Sequence, residues 1–191
     1  MFKFIRFIDT LNKGLEVLCG LALAAMTALI FLQVLVRFVF GKLHIHFSVP
    51  WTEELSRYLM IWAIFIGAAV IARRADALAV EALVLAVPAA AGRAIKYAAH
   101  ALALVFYACI FLVGLDWAEF GLSESAPVLG MPMVYVYASM SVGAALTIVN
   151  VFTLLAEVWV EKKDILDVID HEAEEVVEEV ERELALAAQK V

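Results

Sequence analysis

Charge is scarce in this sequence. Asp, Glu, Lys and Arg make up 18% of 191 residues, against ~25% in soluble domains. Cysteine is scarcer still, with Cys19 and Cys109 alone, which excludes a disulfide framework. Bases are outnumbered: 14 Lys and Arg face 21 Asp and Glu. The sequence pI is near 5.1. With no Lys/Arg stripe interleaved with aromatics, nucleic-acid binding is excluded. No nucleophile–base pair, Gly-rich phosphate loop or zinc spacing occurs, so neither an enzyme nor a cofactor is expected. What is present is apolar surface: 65% of residues are hydrophobic and the mean hydropathy is +0.93. A soluble domain has ~45–50%. Much of this chain is dissolved in lipid.

The apolar residues fall into four runs. Residues 17–36 are twenty without a charge, and at ~1.5 Å per residue such a run covers the ~30 Å hydrocarbon layer. Residues 55–72 form a second run, whose one charge, Arg57, lies near an end where it can snorkel. A third covers 97–115, and the fourth lies within 131–156, after Pro132. These give transmembrane spans at about 15–38, 53–73, 95–116 and 132–158 in a membrane domain of residues 1–160. Ala22-Leu23-Ala24 resembles a signal-peptide cleavage site, but the apolar run continues to Val36, so a retained span is expected.

Lys3, Arg6, Lys13, Arg73, Arg74, Arg93, Lys96, Lys162 and Lys163 flank one side of these spans; Arg37, Lys42 and Arg57 flank the other. The positive-inside rule then predicts two cytoplasmic termini. Residues 76–87, interrupted by Asp76 and Glu81 and followed by Pro88, are too short to cross and read as a helix lying at the interface. The tail, 161–191, carries 11 acids and 4 bases, so the net charge of −7 belongs to it. Its apolar residues recur at spacings of three and four, the pattern of an amphipathic helix; it is either a solvated extension or a cytoplasmic contact segment. The fold expected is an all-α membrane protein with four transmembrane helices, a short interfacial helix between spans two and three, and an acidic amphipathic helical tail.

Polar residues near the membrane are few enough to weigh singly. Trp51, Glu53, Glu54, Arg57, Tyr58 and Trp62 cluster at the start of span two. Thr52 suits a helix cap, and acids suit a first turn. Glu53 stands one helical turn from Arg57 and Glu54 one turn from Tyr58. The cluster is either an aromatic interface anchor or a site locking spans together or docking a partner. Arg37, closing span one on the same side, is a candidate partner for Glu53 or Glu54. Gln33 and Asn150 read as interhelical hydrogen-bond partners. His100 is the one histidine within a span, which excludes a bis-histidine haem site at membrane depth. His44 and His46 in the first connection could join a metal site with Glu53 or Glu54, although solvated loop histidines are the commoner case. Cys19 and Cys109 differ in depth by ~15 Å, beyond disulfide reach. No carboxylate sits at the middle of a span and no internal repeat is visible. Both argue against a transporter complete in this chain.

A set of short motifs resembles one family. Gln33-Val34-Leu35-Val36-Arg37-Phe38 closes span one. Trp51, Glu53, Glu54, Arg57, Tyr58 and Trp62 open span two, and Phe65 with Gly67-Ala68-Ala69 follows. Next come Arg73-Arg74 and Val80-Glu81, then a turn containing proline. Leu129-Gly130-Met131-Pro132, Tyr137 and Gly143 mark the fourth span. In order and spacing, over about residues 10–155, these are similar to the DctQ-like small membrane subunits of tripartite ATP-independent periplasmic (TRAP) transporters. One position departs: where the family often has a histidine after span two, this chain reads Asp76-Ala77-Leu78, so no role is carried over there. The resemblance implies a non-catalytic small permease subunit in a bacterial inner membrane. Its partners would be a large membrane subunit, which holds the substrate and sodium sites, and a periplasmic binding protein delivering organic acids for uptake by symport. Arg37, Trp51, Glu53, Glu54, Arg57, Tyr58, Trp62, Arg73 and Arg74 become candidates for interface or helix-locking roles. The competing class is a stand-alone four-span protein: a small channel, an exporter or a redox-complex anchor.

Overall fold

A computed structural model describes residues 2–40, 49–74, 87–161, 165–166 and 182. Four helices in it are long and apolar enough to cross a membrane. The first, α1 (Phe2–Leu35), runs on into a π-helical turn, Val36–Phe40; α2 spans Pro50–Arg74, α3 Ala89–Phe120 and α4 Val134–Glu161. The expected interfacial helix, the loop histidines His44 and His46, and nearly all of the acidic tail lie outside the described residues.

Local chemistry sets the helix ends. No proline occurs before Pro50, so nothing interrupts α1, and Pro50 is the first residue of α2, where its missing N–H is harmless. Thr52 does not cap α2 through its oxygen as expected; its hydroxyl donates to the Val49 carbonyl at 2.7 Å, because the helix begins two residues before it. Pro88 precedes α3 and cannot continue a helix backwards.

The helices form an open row, α1–α2–α4–α3. α1 packs along α2, α2 along α4 and α4 along α3, while α1 touches α4 only lightly. Half of the most apolar window of α4 is buried, against none of that of α1. Burial on α4 recurs every three or four residues, at Val136, Ser139, Gly143, Thr147, Asn150, Leu154 and Val158, the period of one helix face. Ser139 and Thr147 satisfy their hydroxyls on carbonyls of their own helix. α4 also meets α2 closely at Gly143, where a Cβ would come within 2.9 Å of the Phe65 backbone. In lipid, apolar contact gives helices no net hydrophobic drive, so such close packing and polar ties hold the row together.

Candidate functional site

Two clusters of polar contacts lie at the two ends of α2. At one end, Glu54 is buried just after the first turn of α2. Its Oε1 accepts the Tyr58 hydroxyl at 2.7 Å, the i,i+4 pair that helical spacing brings together. Its Oε2 accepts two successive backbone N–H groups, Val128 at 3.1 Å and Leu129 at 2.7 Å.

The turn that supplies them is folded by its own backbone. Ala126 N–H donates to Met131 O at 2.8 Å, Gly130 N–H to Ala126 O at 2.9 Å, and Met133 N–H to Glu124 O at 3.0 Å. Gly130 takes a positive φ of 65°, which glycine reaches without steric penalty. Adjacent N–H groups left pointing outward form an anion-binding nest, and the Glu54 carboxylate fills it. Tyr58, Val136 and Ala126 of the turn are buried together, packed on by Ile61, Met131, Met133 and Tyr137. Trp62 adds a tie by donating from Nε1 to Tyr135 O at 3.0 Å.

Glu53, one residue earlier, faces outward. It pairs with Arg57 at 3.0 Å, both side chains being 61% exposed, and Gln33 Nε2 approaches its carboxylate at 3.5 Å. Trp51 is exposed at the same end. The pairing of Arg37 with Glu53 or Glu54 is not found. Arg37 is exposed in the π-helical turn, its guanidinium 5.9 Å from the Phe38 ring centroid, and the two carboxylates are engaged as described. The physical reason is competition: two aligned N–H donors and a phenol meet Glu54 inside the fold, where an arginine on an exposed turn cannot follow.

At the other end of α2, Arg73 joins three helices. Its Nε donates to Asp9 Oδ1 of α1 at 3.0 Å, and Nη2 donates to Glu157 Oε2 of α4 at 2.6 Å. The Arg73 side chain is 12% exposed, so the arrangement is shielded on its basic side. One turn deeper, Asn12 and Asn150 form a reciprocal amide pair at 2.8 and 2.7 Å. Their remaining donors go to Ile8 O at 2.9 Å and Ala69 O at 2.6 Å. All four amide protons are used. Arg74 ends α2.

Asn150 was legible as an interhelical donor because it is the lone amide in an apolar run. Asp9, Asn12, Glu157 and the 126–133 turn were missed. The first three lie near span ends, where polar residues are ordinary, and a backbone nest leaves no side-chain signature. Among the described residues, no group of three His, Cys, Asp or Glu is placed to hold a metal ion. The arrangement ties helices to one another.

Comparison with known proteins points to one family. The family model described as "Tripartite ATP-independent periplasmic transporters, DctQ component" matches residues 26–161. A Haemophilus influenzae protein, provisionally named a TRAP transporter small permease protein, is 30% identical over 152 residues, covering 78% of this chain and 90% of the relative. The matched region begins in the last third of α1 and ends with α4, so it takes in both ends of α2. With four apolar helices and a match over most of its length, the chain belongs to the DctQ family, the small permease component of TRAP transporters, and is a multi-pass inner-membrane protein.

Proposed function

We propose that this chain is a non-catalytic brace for the large membrane subunit of a TRAP transporter, which takes up organic acids delivered by a periplasmic binding protein and is driven by an ion gradient. The observation that carries the reading is the use made of buried polar groups. Glu54, Asn12, Asn150 and Arg73 bond to other helices and to backbone. A solute or ion path would instead require such groups to face a cavity at the middle of the membrane. A rigid row of helices suits a subunit that stays still while another moves.

In this reading the membrane domain is 1–160, and 161–191 is a cytoplasmic tail. Both termini face the cytoplasm, a reading supported by nine bases on that side of the spans against three on the other. The outer end of α2, with Trp51, Glu53, Glu54, Arg57, Tyr58 and Trp62, is then periplasmic, and Arg73 and Arg74 lie at the inner edge. Glu54 and Tyr58 lock helices within the chain; Arg37, Trp51, Arg57 and Glu53 remain available to a partner. The test is uptake in whole cells expressing the adjacent large subunit and binding protein, with and without this chain. Uptake of an organic acid should require all three. Undiminished uptake without this chain would remove the bracing role.

A further inference from the structure

At the open edge of the row, α3 packs along α4, and its outer end is held by close contact. A Cβ at Gly114 would come within 2.9 Å of the Ser141 backbone nitrogen. The Ser141 hydroxyl donates to the Phe111 carbonyl at 3.4 Å, and the Val134 N–H donates to the Gly121 carbonyl at 3.1 Å. From Phe111 back to Ala89 the helix runs a further distance of about 33 Å at helical rise. Along that stretch Leu102, Val105 and Phe106 are exposed.

A tie at the inner end comes from beyond α4. Lys96 is 4% exposed and Ile165 3% exposed, and the Lys96 ammonium donates to the Ile165 carbonyl at 3.1 Å. Gly92, one turn before Lys96 on the same face, is also buried. Lys96 and Leu166 each make a further interaction within the chain, so the contact is not isolated. A buried ammonium is costly unless it is hydrogen-bonded, and a bond from a charged donor is about twice as strong as a neutral one. In the sequence Lys96 reads as a marker of the inner side; in the fold its charge is turned onto the chain itself. Chain ends are poorly ordered unless tied down, and Ile165 is tied four residues beyond Glu161, where α4 ends. The family match also ends at residue 161, so this tie is not part of the small-subunit reading.

We propose that the turn at Ile165 and Leu166 is a strap that fastens the inner end of α3, with the Lys96 ammonium as its clasp. The first residues after α4 then belong to the folded membrane unit, and the acidic segment leaves the protein at the α3 edge of the row. Releasing the strap lets the inner half of α3 open from α4. The outer end stays in place, because its contacts at Gly114 and Gly121 do not involve the strap.

The test is amide hydrogen exchange of the full chain in lipid nanodiscs, read separately for residues 92–100 and 114–120 of α3. Lys96→Met keeps the apolar stem and removes the donor. It should speed exchange in the inner stretch about tenfold or more, the effect of losing a hydrogen bond to a charged group, and leave the outer stretch unchanged. Lys96→Arg keeps a donor and should retain most of the protection. Two truncations leave Lys96 in place and test the strap without altering the helix. A chain ending at Lys163 lacks Ile165 and should exchange as fast as Lys96→Met. A chain ending at Asp170 keeps the strap and should exchange as the full chain does. If Lys96→Met does not insert, the truncation pair decides. Unchanged exchange in Lys96→Met or in the chain ending at Lys163 overturns the strap. So does an equal loss of protection in both truncations, which assigns the hold on α3 to the acidic segment.

Discussion

The two ends of α2 are fastened by different chemistry. At the Glu54 end, one carboxylate meets two backbone N–H groups and a phenol. At the Arg73 end, side chains meet side chains: a guanidinium with two carboxylates, and beneath it a pair of amides. The first fixes a turn onto a helix, and the second fixes three helices against one another. A carboxylate in a backbone nest depends on the shape of the turn, so only a group of matching charge, reach and geometry can replace it. The ties at the Arg73 end are divisible, because the amide pair persists when the ion pairs are broken.

That difference orders the expected losses. Glu54→Ala should lower the melting temperature of the purified chain in detergent more than any other single change at either end. Glu54→Arg should be equally harmful and gain nothing from Arg37→Glu, since Arg37 is not the partner. Recovery in that double variant would restore the pairing that the geometry replaces. Arg73→Leu leaves Asp9 and Glu157 without their base. Because Asp9 is 42% exposed, water offsets part of the loss, and about 2 kcal/mol is expected from denaturant titration. Asn150→Val strands the Asn12 amide and should destabilise by about 1 kcal/mol, the scale of interhelical hydrogen bonds in membranes. Glu53→Gln opens a pair exposed on both sides and should change stability by less than about 0.5 kcal/mol. A Glu53 effect as large as that of Glu54 would erase the distinction between the outward and inward acids.

The row itself was easy to read in part. Four spans follow from run length and hydropathy, and the pairs Glu53–Arg57 and Glu54–Tyr58 follow from helical spacing, since both are local. The nest was not legible because its donors lie 74 and 75 residues from Glu54 and belong to the backbone, which every residue shares. Arg73 reads as a positive-inside marker, yet its partners are 64 and 84 residues away.

Buried polar groups at both ends of α2 hold the fold of this chain together. The most direct measurement is uptake into liposomes under an imposed sodium gradient, with a panel of organic acids. The purified chain alone should accumulate none, and uptake should appear when the large subunit and the binding protein are added together. Gradient-driven accumulation by this chain alone would contradict the account.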